Sequence, residues 1–492
     1  MAIVALHSIH ADGSVSSLRR WSSVPLLATV ILEEGAMDEI RVLSATAILG
    51  YGFPDESFEA GLARRPHVIA ADAGSSDPGP YYLGAGESFT DRMAVRRDLE
   101  RMITAGLNLG IPVVIGSAGG AGAAPHLVWL CEIVDEIAAG HGLEMRTAVI
   151  SADVDHQTVV RALEDGRISA VPHGPRLTAE DIHASTHLVA QMGTAPLVAA
   201  LRDGADVVLA GRAYDPAVFA AVPMLHGFDE GLALHMSKIL ECAAIAALPG
   251  SGSDCMLGTL RSDHFVLEPL NPARRCTPTS VAAHTLYEKS DPCRLPGPGG
   301  YLDLSDCAFE PYGERGVRVS GSRHVAGPYA VKLEGARLHG YRTVSVAGAR
   351  DPYFIREIDT IVRGVRERVA DNFPDISPDS YELLVRVYGA DGCMGPLEPS
   401  PRADGHEVGI VIEAVAESQD LADTLCGFAR STMLHFGYPG RLSTAGNLAF
   451  PYSPSDFHVG EVYEWSVYHL MEVDDPLTLF PITRIDYPGD QS

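Results

Sequence analysis

From residue 40 to about residue 215, short apolar runs rich in β-branched residues alternate with helical stretches. The runs fall at residues 40–49, 67–71, 113–115, 147–151 and 206–210. Runs this short and apolar predict strands buried on both faces. Residues 91–105 and 124–139 read as two of the intervening helices. Such alternation predicts a parallel sheet with helices on both faces, a three-layer α/β domain. Ligands bind such sheets beyond the carboxyl ends of the strands. All five runs close in Gly, Asp, Ser or Arg, so their ends are expected to converge on one cleft.

The pattern changes after about Gly252. Short β-rich runs at 317–319, 329–333 and 343–346 are spaced by Gly and Pro. Strand-like runs at 381–388 and 407–414 then precede an amphipathic helix at 420–436, and further runs follow at 463–471 and 478–484. These predict a smaller α+β, mixed-sheet C-terminal region. The expected organisation is an α/β ligand-binding domain at 37–250, a β-rich second domain at 251–375 and a small α+β region at 376–492. Residues 1–36 look unlike the rest. Glu33-Glu34-Gly35 can be encoded by GAGGAGG shortly before Met37, which resembles a bacterial ribosome-binding site. The hypothesis is that residues 1–36 are a mis-assigned or disordered extension; peptides upstream of Met37 in mass spectra of the native protein would overturn it.

Charge changes the picture. A formal net charge of −27 over 492 residues argues against nucleic acid or an anionic membrane as a partner. Any anionic ligand then needs a locally basic or N–H-rich pocket. Eight cysteines without a C-x-x-C pair fit reduced thiols in a cytoplasm. No run of 18 apolar residues is present to span a membrane.

The most glycine-dense stretch, Gly116, Ser117, Gly119, Gly120 and Gly122, follows the third run and opens a helix. Such a loop can aim N–H groups at an anion; the alternative is a tight strand-to-helix turn without a ligand. No Lys follows, so this is not a P-loop, and Gly116-x-x-Gly119-Gly120-x-Gly122 matches a dinucleotide fingerprint poorly. In the second loop, Gly74, Ser75 and Ser76 are candidate ligand-binding residues. Asp72 is a candidate acid or base and Asp77 a candidate metal ligand, for a divalent ion such as Mg²⁺; plain turn chemistry is the alternative. Arg212 and Asp215 follow the fifth run, and Arg offers a fork for a carboxylate or phosphate. In the helix at 235–242, Lys238, Glu241 and Cys242 share a face. His183 and His187, with His173 nearby, have helical i, i+4 spacing but lack the Glu of H-E-x-x-H.

Several of these residues recur in a family pattern. Leu209-Ala210-Gly211-Arg212-Ala213-Tyr214-Asp215, the block from His235 to Glu241-Cys242, Ser280-Val281, Leu286-Tyr287-Glu288, Asp291-Pro292 and Arg318-Val319-Ser320-Gly321 together resemble the acyclic terpene utilisation (AtuA-type) family. Ala243 and Ala244 stand where that family usually carries glycine, which marks a divergent subgroup. The resemblance implies a place in branched terpenoid-acid breakdown and a small companion protein as a second subunit.

The residues together predict an enzyme of small-molecule catabolism. The expected activity is a lyase, either a hydratase/dehydratase or a C–C lyase, on a small carboxylate or its acyl-CoA ester. Its catalytic residues would be Asp72, Arg212, Asp215 and Glu241, and its state a homo-oligomer. The competing expectation is a non-catalytic ligand-binding or assembly subunit that works only with the companion.

Overall fold

The structure, a computed structural model, describes residues 19–20, 37–171, 174–287, 291–400 and 405–489. Apart from positions 19 and 20, the expected extension before Met37 lies outside the described residues, as do His173 and Glu288. The chain divides into two compact units, residues 1–337 with 465–492, and Leu338–Glu464.

The first unit is built on the expected parallel strands: β1 (Ile40–Ser44), β2 (Val68–Asp72), β3 (Val113–Gly116), β4 (Glu144–Ile150) and β5 (Val207–Ala210). They pair in the order β4-β5-β3-β2-β1, every neighbouring pair parallel. Val113, Val114 and Ile115 are all buried, as a strand covered on both faces requires. Antiparallel strands extend both sides. β6 (Met256–Leu260), β7 (His264–Pro269), β8 (Ala308–Tyr312) and β9 (Gly316–Ser320) follow β1 in the order β6-β7-β9-β8. Beyond β4 lies the chain's last strand, Ile482–Pro488, with residues 19–20 at the edge. The sheet is therefore mixed, with a parallel centre.

Helices cover both faces. α1 (Arg92–Leu109) and α2 (Ala124–His141) share a core with one face, through Leu99, Met102, Leu130 and Ile133 against Ile69, Val113 and Ile115. Asp91 caps α1 by accepting from the N–H groups of Met93 and Ala94, and the helix ends at Gly110 in the left-handed region, four residues later than expected. On the other face lie α3 (Thr194–Arg202), α4 (Asp215–Leu225) and α5 (Glu230–Leu240). α4 packs so closely that a Cβ on Gly116 would stand 2.2 Å from Val218 Cγ2.

Some boundaries differ from the sequence pattern for local reasons. The first strand stops at Ser44 because Ser44 Oγ donates to the Leu240 carbonyl and Thr46 turns to the Gly252 carbonyl. The runs at 329–333 and 343–346 are one strand, β10 (Ala330–Ala349), which pairs near its start with His187–Ala190.

In the second unit, the far half of β10 pairs antiparallel with Val408–Ala416, which pairs antiparallel with Tyr381–Tyr388. Helices Ile358–Asn372 and Gln419–His435 bury Ile361, Val365, Leu425 and Met433 against Ile410 and Ile412.

Two glycines test how tightly the strand ends pack. Gly122 has φ +70°, and a Cβ there would lie 2.1 Å from the backbone nitrogen of Arg212; Gly110 has φ +65° but open space around it. Gly110→Ala is expected to cost about 1–2 kcal/mol, the left-handed penalty alone. Gly122→Ala should lose about 1–3 kcal/mol more through overpacking. Equal losses in urea unfolding would contradict this packing.

Candidate functional site

Because β1 to β5 are parallel, their carboxyl ends share one rim, which carries Asp72, Gly116 and, two residues beyond β5, Arg212. The helix after β3 lies on one face and the helix after β5 on the other. Neighbouring strands whose connections part in this way leave a crevice at their carboxyl ends.

Arg212 occupies that rim and is 2% exposed. Its Nε donates to Glu334 Oε2 at 3.0 Å. Its Nη1 donates to Asp215 Oδ1 at 2.9 Å, Ser117 Oγ at 3.1 Å and the Ala213 carbonyl at 2.7 Å; Nη2 makes none of these bonds. Burial works against the charge, but Glu334 and Asp215 raise the pKa and keep the guanidinium ionised. Glu334, fully buried on β10, also accepts from Ser76 Oγ at 2.9 Å and pairs with Lys332 Nζ at 2.7 Å. Burial opposes its charge, yet Arg212 and Lys332 outweigh burial and hold it down to about 2.

Asp72 sits beside this network. Its Oδ2 accepts from the Gly74 N–H at 3.1 Å, while its Oδ1 is buried without a hydrogen-bond partner. Burial pushes this carboxyl well above the usual carboxylate range and Asp215 pushes it further, while Arg212 and then the Ser117 hydroxyl oppose. Glu241 is close enough to add to the same upward push. It is itself buried and paired with Lys238, one helical turn back. Burial, then Glu241 and Asp215, also raise the phenol of Tyr214, which keeps it protonated. The structure thus brings Asp72, Arg212, Asp215 and Glu241 to one rim.

The two glycine-containing loops pack on each other. A Cβ on Gly74 would stand 3.1 Å from the Gly120 Cα, and one on Gly120 would stand 3.1 Å from Phe89 Cβ. Within the third-strand loop, the N–H groups of Ser117, Ala118, Gly120 and Gly122 bond to the carbonyls of Gly211, Ala210, Ser117 and Ala118. Gly116, Ser117, Gly119 and Gly120 are all buried. The loop's observed work is close backbone packing, with Ser117 Oγ reaching Arg212. In the other loop Ser75 Oγ accepts from the Asp77 N–H.

Asp77 is exposed. Among the described residues no cluster of three or more His, Cys, Asp or Glu is arranged to hold a metal ion. His183 closes a helix at Ala179–Ala184 while His187 opens a strand, so they do not share a helix face. His235 is fully buried between Ser322 Oγ at 2.6 Å and Thr285 Oγ1 at 3.0 Å, and burial holds it neutral, down to about 3.

The network includes two residues that sequence reasoning missed, Lys332 and Glu334. Their signal is a pair of opposite charges at i, i+2, interleaved with the buried Val331 and Leu333, on one face of a strand.

The pattern of the acyclic terpene utilisation family protein AtuA matches residues 88–247 and 265–451. The chain belongs to this family. No curated protein and no solved structure matches it. In this member of the AtuA family, Arg212, Asp215, Glu241, Lys332 and Glu334 fall inside the matched segments, whereas Asp72 and its loop precede them. Among the described residues, no helix is long and apolar enough to cross a membrane.

Glu334→Gln tests the network. Its lowered folded pKa contributes stability that is present above the ordinary value of 4.5 and lost as pH falls toward 2. The substitution removes one partner of a buried pair and is expected to cost about 3–5 kcal/mol at pH 7. The gap should narrow between pH 4.5 and 2 in denaturant unfolding. A loss of the same size at pH 3 and pH 7 would show that charge pairing is not its origin.

Proposed function

We propose that this protein is an enzyme of acyclic terpene utilisation, a lyase acting on a small carboxylate or its acyl-CoA ester. The observation that carries the reading is the Asp72 carboxyl, buried and lacking a partner for Oδ1 at the rim of the parallel strands. Charge bookkeeping explains its state. Arg212 and Lys332 balance Glu334 and Asp215, and Lys238 balances Glu241. An ionised Asp72 would be an uncompensated buried charge, so burial holds its carboxyl well above the usual carboxylate range and favours the protonated form. A carboxylic acid held neutral at pH 7 can donate a proton.

In the dehydration direction, Glu241 takes a proton from the carbon beside the substrate's carbonyl. Asp72 gives its proton to the departing hydroxyl. The C–H and C–O bonds break, a C=C bond forms and water leaves; Asp72 then regains a proton from Glu241. Arg212 is buried, and its Nε and Nη1 are committed to Glu334, Asp215, Ser117 and the Ala213 carbonyl. It fixes Asp215, Ser117 and Glu334 and supplies positive charge behind the developing oxyanion.

Asp72→Asn is expected to lower kcat by about 10²–10⁴-fold, the usual contribution of a positioned acid or base. It should leave the fold intact, because a buried amide carries no ionisation cost. The raised folded pKa makes wild-type stability fall as pH rises through it, so the variant's melting temperature should equal or exceed wild type at pH 8, and the advantage should fade toward pH 4. Unchanged turnover would defeat the assignment.

Met394, Leu397, Leu442 and Tyr452 of the second unit stand more than half exposed, which supports a second reading, a subunit that works only with a companion. A thermal-shift panel of mono-, di- and tricarboxylates, acyl-CoA esters and Mg²⁺ separates the two. A ligand at 100 times its Kd adds about 2.7 kcal/mol and favours the enzyme; silence across the panel favours the subunit.

A further inference from the structure

The sheet of the second unit ends in an edge strand, β11 (Tyr381–Tyr388). It pairs with β12 (Val408–Ala416) and, among the described residues, with no other strand. The free side of an edge strand is a row of unused N–H and C=O groups, which proteins blunt with Pro, Lys, bulges or very short strands. β11 has none of these. It runs eight residues without Pro, Gly or Lys, and its register with β12 is unbroken from Tyr381 opposite Ala416 to Tyr388 opposite Gly409.

Two observations fix which groups face outward. Gly348 on β10 exchanges both of its backbone bonds with Ala449, so it faces away from β12. Gly409, opposite Gly348, therefore turns to β11 and meets Tyr388 there. The Val387 carbonyl, next along β11, is taken instead by the N–H groups of Ala390 and Gly392. Inward and outward residues alternate along an antiparallel strand, so Leu383 and Val385 share the outward side with Val387. Their side chains are only partly buried against the helix-covered core.

The opposite face of β11 carries charge. Glu382 and Arg386 stand on that face on either side of Leu384, with their side chains 56% and 46% exposed. Glu382 lies 3.4 Å from His339, and Arg386 lies 3.5 Å from Glu413, which Arg342 already holds at 2.7 Å. One carboxylate thus serves two guanidiniums, and Arg386 has the longer contact.

We infer that β11 is where two copies of this chain associate, strand against strand and antiparallel, about a two-fold axis at Leu384. That register sets Glu382 opposite the partner's Arg386, and the outward groups of Leu383 against those of the partner's Val385. The same patch meets itself in a two-fold contact, so each pair occurs twice. The half-covered Leu383 and Val385 then gain a neighbour on their open side. Charge selects the register. A slide of two residues either way sets a charge against Leu384. A slide of four sets Glu382 against Glu382 or Arg386 against Arg386, and like charges directly opposite are destabilising. The inference uses none of the residues assigned to catalysis and stands apart from the enzyme reading.

Sedimentation of the full chain over a range of concentrations tests it. Wild type should form a dimer, and hydrogen exchange over residues 381–388 should slow as the dimer fills. Glu382→Arg and Arg386→Glu each place like charges opposite one another at both ends. Each should raise the dimer Kd at least about tenfold, equivalent to about 1.4 kcal/mol. Mixed together, the two variants oppose unlike charges at both ends and should form a heterodimer. Circular dichroism checks that both are folded; if one is not, the other and the exchange of wild type carry the test. A wild type that stays monomeric would overturn the inference and leave the edge to a strand of another protein. A dimer that a folded reversal leaves intact, or folded variants that do not associate when mixed, would overturn it as well.

Discussion

The first unit's rim depends on one buried ion pair, Arg212 with Glu334. A guanidinium taken out of water is tolerated only when its hydrogen-bonding groups find partners, and Arg212 finds them in distant parts of the chain. Ser117 lies 95 residues before it and Glu334 lies 122 residues after it. Glu334 in turn gathers Ser76 and Lys332. One cation thereby ties the loop after β2, the loop after β3, the turn after β5 and the start of β10 into a single arrangement. The pair is not evidence of high stability, since apolar replacements can be as stable. Its consequence is specificity of placement, because in the observed register Glu334 meets both Arg212 and Lys332.

The same pairing governs the acid beside it. Once Arg212 is matched by Glu334 and Asp215, little positive charge is left over for Asp72, and burial decides its protonation. A stronger surplus of cations would have ionised Asp72 and turned a proton donor into another salt-bridge partner. A missing Glu334 would free Arg212 to do just that. The upward push on the Asp72 carboxyl is therefore a property of the whole cluster.

Much of this was legible in the sequence where the cause is local. Each parallel strand is a short apolar run followed by Gly, Asp or Arg, and these features place Asp72, Arg212 and Asp215 at strand ends without any knowledge of tertiary contacts. Helical spacing likewise puts Lys238 and Glu241 within reach of each other. Lys332 and Glu334 were not legible as site residues, because only the folding of β10 beside His187–Ala190 brings them to the rim. The glycine loop was ambiguous for a related reason. A run of glycines reads the same whether it opens space for an anion or for another backbone, and here Gly122 meets the backbone of Arg212. Asp77 shares its loop with Ser76, yet the turn sends one side chain into the network and the other to solvent. That difference depends on a few dihedral angles that residue types do not specify.

Fold and family membership alone do not choose a reaction, because one architecture supports many chemistries and the site decides among them. Here the division is visible along the chain. The matched segments carry the charged scaffold of Arg212, Asp215, Lys332 and Glu334, whereas Asp72 comes from a strand that precedes them. The scaffold alone would hold an anion's counter-charges in place without any group poised to move a proton. On the proposed reading, one buried, unmatched carboxyl converts it into a site with a proton to give. In that proposal the step from a binding arrangement to a reactive one rests on a single residue at the end of β2. The adjoining turn that orients it, through Gly74, can adopt its left-handed backbone only because glycine stands there.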